Sequence, residues 1–95
     1  MAIGMTIRLE GMTADIYDAV NSEMGFPAEV PDGLIRHSAG PVEGGWRVCD
    51  VWESQEKLDR FNEERLMPAL GRVEGADAVK PAEPEVFEVH NLWPS

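Results

Sequence analysis

Residues 34–54 carry the sequence LIRHSAGPVEGGWRVCDVWES, which predicts two strands followed by the start of a helix. Trp46–Glu53 is rich in tryptophan and valine, as is typical of a strand, and Leu34–Ala39 is interpreted as its partner. Between them, Pro41–Gly45 has the proline and glycines of a hairpin connection. Ser54 is a favourable N-cap for the next helix. This stretch therefore predicts a β-hairpin that leads into a helix.

The segment before the hairpin predicts another strand and a first helix. Residues 3–10 alternate apolar and polar side chains, as a half-buried strand does. Ala14–Met24 repeats apolar side chains at helical spacing. Thr13 can cap the start of this helix, and Gly25 is a plausible stop at its end.

The segment after the hairpin predicts a second helix and a last strand. The helix that follows Ser54 is expected to kink or end near Met67, because Pro68 has no backbone N–H, and a short extra turn through Leu70 is the alternative. Residues 71–84 contain two glycines and two prolines, which favour a loop that returns the chain across the domain. Val86–Leu92 is then the fourth strand.

The predicted order of elements is β-α-β-β-α-β, the ferredoxin-like arrangement, in a single α+β domain spanning residues 1–95. This order gives a four-stranded antiparallel sheet with both helices on one face. The third and fourth predicted strands carry apolar side chains on both faces, whereas the helices cover only one. The uncovered face predicts a homodimer in which two sheets pack against each other as an α+β barrel.

Charge and composition exclude several classes of partner. The chain has 95 residues, with 8 Lys and Arg against 18 Asp and Glu, a net charge of −10. Such an acidic chain disfavours nucleic acid and anionic membranes as partners. No apolar run approaches the length of a membrane span, and the N-terminus lacks the features of a signal peptide. With one cysteine and hence no internal disulfide, we expect a cytoplasmic protein.

The length of the hairpin turn determines whether His37 and Asp50 can meet. If the turn has an even number of residues centred between 43 and 44, His37 pairs with Asp50. Ile35 then pairs with Trp52. A turn shifted by one residue sets His37 opposite Trp52 instead. A turn with an odd number of residues places His37 on the other face of the sheet.

A histidine beside an aspartate on an apolar face has two interpretations. The carboxylate can hold the imidazole in one tautomer and stabilise its cation, so that the other ring nitrogen acts as a base. His37 and Asp50 are therefore candidate catalytic residues. The alternative is a structural hydrogen bond that satisfies two buried polar groups. The sequence leaves both interpretations open.

Three further polar residues are candidates for binding a substrate. Tyr17 can reach the same cavity with its hydroxyl, although the pattern favours a boundary tyrosine at the edge of the apolar stripe. Asn62 and Arg65 fall within the inward stripe of the second helix at 100° per residue. They are expected to contact a ligand, or Arg65 pairs with Asp50 or extends to solvent.

The remaining chemically active side chains suggest no cofactor. His90 lies on the last predicted strand, and its spacing from His37 matches no metal motif. Cys49 is interpreted as a small buried apolar residue. The sequence has no glycine-rich loop for a phosphate or dinucleotide. We therefore expect no metal, haem or flavin.

The chain resembles the antibiotic biosynthesis monooxygenase-like branch of the dimeric α+β barrel superfamily over about residues 3–92. The residues that carry the resemblance are Pro31–Leu34, His37–Pro41, Gly45–Val48, Asp50–Ser54, Phe61 and Leu66–Leu70. The match at residues 52–54 implies that Trp52 lines a pocket between sheet and helices. In haem-degrading relatives a histidine of the second helix ligates iron. The corresponding position here is near Asn62, and this helix has no histidine.

The resemblance implies a cofactor-independent enzyme that acts on a small aromatic or polyketide-like molecule. A base such as His37 would deprotonate a phenol, and the anion would react with dioxygen in a dry pocket. A cyclase, isomerase or lyase would use the same pocket for proton transfer alone. A ligand-binding or structural dimer without turnover is the third interpretation.

Overall fold

An antiparallel sheet with two helical segments on one face forms the architecture of the computed structural model, which describes residues 1–94. The elements are β1 Ile3–Glu10, α1 Ala14–Met24, β2 Leu34–Val42, β3 Gly45–Trp52, α2 Gln55–Phe61, α3 Met67–Leu70, β4 Lys80–Pro81 and β5 Glu85–Glu88. The strands lie in the order β2-β3-β1-β4, and β5 also pairs with β1. This is the predicted ferredoxin-like arrangement.

The first helix has the boundaries that its sequence predicts. The Thr13 hydroxyl accepts a hydrogen bond from the backbone N–H of Ile16 at 3.2 Å, which caps the helix start. Gly25 ends the helix in the left-handed conformation, with a φ of 86°. Val20 and Met24 are buried against Ala69 of α3, so this helix packs on the end of the second helical run.

The second helical run passes Pro68 and ends at Leu70, as the alternative of a short extra turn predicted. Ser54 caps α2 through a 3.2 Å hydrogen bond from the N–H of Lys57. A π-helical turn, Asn62–Leu66, then joins α2 to α3, and the run passes Pro68 to end at Leu70. A π turn places one additional residue in the helix, which accommodates a proline that would otherwise meet the carbonyl one turn earlier.

The hairpin has a two-residue turn and a bulge at its far end. Strands β2 and β3 extend to Val42 and Gly45, leaving Glu43 and Gly44 as the turn, with Gly44 at a φ of 78°. The pairing is therefore that of a turn with an even number of residues. The predicted pair between Ile35 and Trp52 is wrong. A bulge at Ile35 shifts the register, so that Leu34 lies opposite Trp52.

The fourth strand is shorter than predicted and is divided into two pieces. In place of Val86–Leu92, the chain pairs with β1 through β4 and again through β5. The predicted loop 71–84 thus contains a short strand. Pro81 and Pro84 have no backbone N–H, so a continuous ladder cannot form across them. His90 lies beyond β5 and outside any strand.

The two faces of the sheet are in different environments. The helices cover the face that carries the buried side chains of Ile3, Val48 and Trp52. The opposite face, which we call the outer face, exposes 54% of Phe87. Cys49 also lies on the outer face and is exposed, which corrects the expectation that it is buried. No helix among residues 1–94 is long and apolar enough to cross a membrane.

Candidate functional site

His37 and Asp50 face each other on neighbouring strands, on the side of the sheet that carries the helices. Nδ1 of His37 lies 2.6 Å from Oδ1 of Asp50. The Asp50 side chain is 7% exposed and the His37 side chain 31% exposed. The carboxylate is therefore buried behind an imidazole that reaches the surface of the protein.

The second oxygen of Asp50 is also occupied. The indole N–H of Trp52 donates to Oδ2 of Asp50 at 3.2 Å. Trp52 is 1% exposed, and its ring lies 5.2 Å from that of Phe61 between centroids. Because the indole is held by the core, it holds the carboxylate in one orientation and compensates for its burial.

Tyr17 of α1 extends this hydrogen-bonded chain to the other side of the imidazole. Its hydroxyl lies 2.5 Å from Nε2 of His37. An ionised Asp50 can only accept, so Nδ1 of His37 donates to it, and in the neutral imidazole Nε2 then accepts from the Tyr17 hydroxyl. The phenol ring also packs against Trp46, with centroids 5.3 Å apart. The result is a continuous chain of Trp52, Asp50, His37 and Tyr17.

A cavity of about 450 Å³ lies beside His37, between α1 and the segment that precedes β2. Its lining residues are Asp18, Asn21, Ser22, Phe26, Pro27, Val30, Pro31, Leu34 and His37. Sequence reasoning identified only His37 among them. The first three occupy positions i, i+3 and i+4 of α1, which is one helix face. Their polarity is typical of a solvent-exposed face. They line a cavity only because residues 26–34 pass opposite this face of the helix.

Of the predicted site residues only His37 lines this cavity; the others do not, namely Tyr17, Asp50, Trp52, Asn62 and Arg65. Asn62 is half-buried at the start of the π-helical turn. Trp52 lies in the core, where it donates a hydrogen bond to Asp50 and belongs to the apolar cluster against which Leu34 of the cavity wall packs. The stripe that placed Asn62 and Arg65 with the pocket assumed 100° per residue, and the π-helical turn interrupts that spacing.

Arg65 instead connects the second helical run to the end of α1. Its guanidinium donates to the backbone carbonyls of Met24 and Glu29, and it lies 5.3 Å from the ring centroid of Phe26. Its ion-pair partner is the Glu29 carboxylate at 3.8 Å, not Asp50. Arg65 therefore contacts the segment that forms the cavity wall without lining the cavity itself.

The described residues contain no group of three or more His, Cys, Asp or Glu side chains placed to hold a metal ion. The donors at the site are one imidazole, one carboxylate and one phenol, and they are hydrogen-bonded to each other. Groups hydrogen-bonded in this way can pass a proton from one side chain to the next.

Several solved structures share this architecture. SnoaB, a cofactor-independent oxygenase from Streptomyces nogalater, is 13% identical to the chain, with a TM-score of 0.68 over 99% of this chain and 98% of that chain. An antibiotic biosynthesis monooxygenase-like protein from Chloroflexus aurantiacus is 14% identical, with a TM-score of 0.63 over 95% and 96% of the two chains. The chain has the antibiotic biosynthesis monooxygenase-like fold.

The same fold also occurs in a protein of unknown function from Nitrosomonas europaea, 18% identical, with a TM-score of 0.69 over 96% of this chain and 91% of that chain. No protein-family model and no curated protein matches the sequence. At these identities the antibiotic biosynthesis monooxygenase-like fold is established, and the activity has to be argued from the site.

Proposed function

We propose that the protein is a cofactor-independent oxygenase of small aromatic hydroxyl compounds. The observation that carries the proposal is the hydrogen-bonded chain of Asp50, His37 and Tyr17 at the edge of a mostly apolar cavity. The cavity volume of about 450 Å³ is within the range of small-molecule sites. The description of SnoaB as a cofactor-independent oxygenase supports the assignment by analogy of fold.

His37 is the base in this proposal, and Tyr17 connects it to the substrate. A substrate hydroxyl donates a hydrogen bond to the Tyr17 oxygen and loses its proton to it. Tyr17 passes its own proton to Nε2 of His37. The resulting imidazolium is stabilised by Asp50, whose carboxylate lies 2.6 Å from Nδ1. The substrate is left as an electron-rich phenolate.

The phenolate then reacts with dioxygen without a metal or flavin. The electrons come from a CH₂ group of the substrate that is conjugated with the phenolate. One oxygen atom replaces the two hydrogens of that carbon as a ketone, and the other leaves as water with both protons. The four electrons lost by the carbon are those that dioxygen accepts, so no further reductant is needed. Phe26, Val30 and Leu34 form the apolar wall beside which this step takes place.

We also propose that the protein works as a homodimer through the outer face of its sheet. Phe87 is 54% exposed there and packs over Gly4, where no side chain separates the ring from the backbone. A second copy packed on this face would remove the Phe87 ring from water.

Oxygen uptake with a polycyclic phenol tests the proposed activity. A panel of hydroxyanthracenones, which carry a CH₂ group conjugated with the phenol, is incubated with the purified protein, with and without a chelator. We expect consumption of dioxygen that the chelator does not affect, with one labelled oxygen atom from ¹⁸O₂ in the product.

The other outcomes identify the alternative functions. Turnover that continues without dioxygen would contradict the oxygenase and indicate a cyclase, isomerase or lyase. Tight binding with no product under either atmosphere would indicate a binding protein.

A further inference from the structure

Asp18 is the only carboxylate among the residues that line the cavity, and no lysine or arginine lines it. It follows Tyr17 directly on α1, so it lies one helix position from the end of the proposed proton chain. Asn21 and Ser22 continue the same polar wall toward the C-terminal end of the helix. The opposite wall is apolar. The cavity therefore combines an apolar body with one polar, negatively charged side.

Asp18 has no partner within the described part of the chain. None of the six ion pairs of residues 1–94 includes it. Two basic side chains near the cavity wall pair with other acids: Arg65 with Glu29, and Lys57 with Asp32 and Glu53. Asp18 is also exposed, so its charge is hydrated when the cavity is empty.

We propose that Asp18 makes the site selective for aromatic compounds that carry a positive charge or a hydrogen-bond donor in addition to the reacting hydroxyl. The inference rests on the proposed function, because it names the substrate class of that same cavity. An amine or hydroxyl on the substrate replaces the water around Asp18 with a direct hydrogen bond. A carboxylate or phosphate on the substrate would lie beside an uncompensated negative charge, which disfavours binding.

The net negative charge of the whole chain also favours cationic over anionic ligands. A net charge of −10 lowers the local concentration of anions and raises that of cations. A local effect of Asp18 therefore has to be separated from the general field of the protein. Asp15 allows this separation, because it lies one turn earlier on α1, is exposed, and does not line the cavity.

Three naphthols that differ only in charge test the proposal: 2-naphthol, 6-aminomethyl-2-naphthol and 6-hydroxy-2-naphthoate. Their dissociation constants are measured with the full chain by quenching of tryptophan fluorescence. We expect the amine to bind about five times more tightly than 2-naphthol, and the carboxylate more weakly, because a partly exposed charge pair contributes only modestly. Asp18→Asn should abolish the preference for the amine, and Asp18→Lys should transfer it to the carboxylate.

The matched variants Asp15→Asn and Asp15→Lys change the net charge equally and should leave the order of affinities unchanged. An equal change in the Asp15 and Asp18 variants would overturn the proposal in favour of the general field. Equal affinity for all three naphthols, with hydroxyanthracenones still oxidised, would overturn the selectivity and leave the oxygenase intact. If none of the naphthols binds, this selectivity is overturned. Oxygen uptake with the polycyclic panel then decides the oxygenase separately.

Discussion

His37 and Asp50 are 13 residues apart in the chain, yet the imidazole Nδ1 of one lies 2.6 Å from the carboxylate Oδ1 of the other. The two-residue turn at Glu43 and Gly44 sets this register, and Trp52 holds the second carboxylate oxygen. The turn thus sets which residues pair, and Trp52 sets the orientation of the Asp50 carboxylate. The same geometry serves a catalytic base and a structural hydrogen bond, and the two roles respond differently to substitution.

Replacing His37 by alanine separates the two roles. For a catalytic base, oxygen uptake with the polycyclic phenol should fall by about 10²–10⁴-fold. The variant should keep its fold, because the His37 side chain is already 31% exposed. Circular dichroism and thermal unfolding provide the control. A folded His37→Ala protein with full turnover would remove the catalytic assignment.

Asp50→Asn should weaken both turnover and stability. The Asp50 carboxylate accepts from two donors, Nδ1–H of His37 and Nε1–H of Trp52. An amide offers only one acceptor oxygen, so one of these donors loses its partner at a cost of about 1–3 kcal/mol. Urea unfolding measures this loss. Unchanged stability would contradict this loss and would indicate that the His37 imidazole has changed tautomer, so that Nδ1 accepts from the amide N–H.

Tyr17→Phe tests whether the phenol carries the proton. The substitution keeps the ring packed on Trp46 and removes only the hydroxyl that lies 2.5 Å from Nε2 of His37. We expect turnover to fall by about 10²-fold while the melting temperature changes little. Higher turnover in this variant would show that Tyr17 blocks His37 and that the substrate donates to Nε2 directly.

Phe87→Glu tests the outer face as a dimer interface. A carboxylate in place of an aromatic ring at the centre of two packed apolar faces is poorly compensated, so the dimer should dissociate. Light scattering should give twice the mass of one chain for the native protein and one chain for the variant. Met67→Glu is the matched control, since Met67 is 61% exposed in the second helical run. A native monomer at micromolar concentration would contradict the dimer.

Gly45→Ala and Gly40→Ala form a matched pair for the stability of the hairpin. A Cβ at Gly45 would lie 2.3 Å from the backbone carbonyl oxygen of Leu9, whereas nothing lies within 4 Å of a Cβ at Gly40. Gly45→Ala should therefore destabilise the fold by about 1–3 kcal/mol through forced separation of β1 and β3. Gly40→Ala should be neutral or slightly stabilising. Urea unfolding compares the two, and equal effects would contradict this packing.

Lys57 should make a small contribution to stability that disappears at high pH. Hydrogen bonds to Glu53 and then to Asp32 raise the pKa of Lys57 above its ordinary value. A raised pKa in the folded state means that the contribution is complete below the ordinary pKa and is lost as pH rises through the raised one. The free energies of unfolding of the native protein and of Lys57→Gln should differ near neutral pH and become equal in strong alkali. A difference that grows with alkalinity would contradict the assignment.

The order of elements and the caps of α1 could be predicted because they depend on local chemistry. The Thr13 and Gly25 caps act within one turn of the chain, and alternation over residues 3–10 reports a half-buried strand directly. The register of His37 and Asp50 was limited to a few possibilities by counting along the hairpin. The bulge at Ile35 and the π-helical turn before Pro68 could not be predicted, because each inserts one residue into a regular repeat and leaves no local signal.

The sequence by itself determined the fold, the candidate pair His37 and Asp50, and the presence of a tyrosine on the helix above them. Only the tertiary structure decided that Tyr17 bonds to Nε2, that Arg65 points away to Met24 and Glu29, and that Asp18 lines the cavity. Helical and strand periodicity determine which face a side chain occupies. The residues that this side chain contacts depend on segments distant in the chain. The loop at residues 26–34 has no repeating pattern of apolar residues, so its path depends on tertiary packing and cannot be read from the sequence.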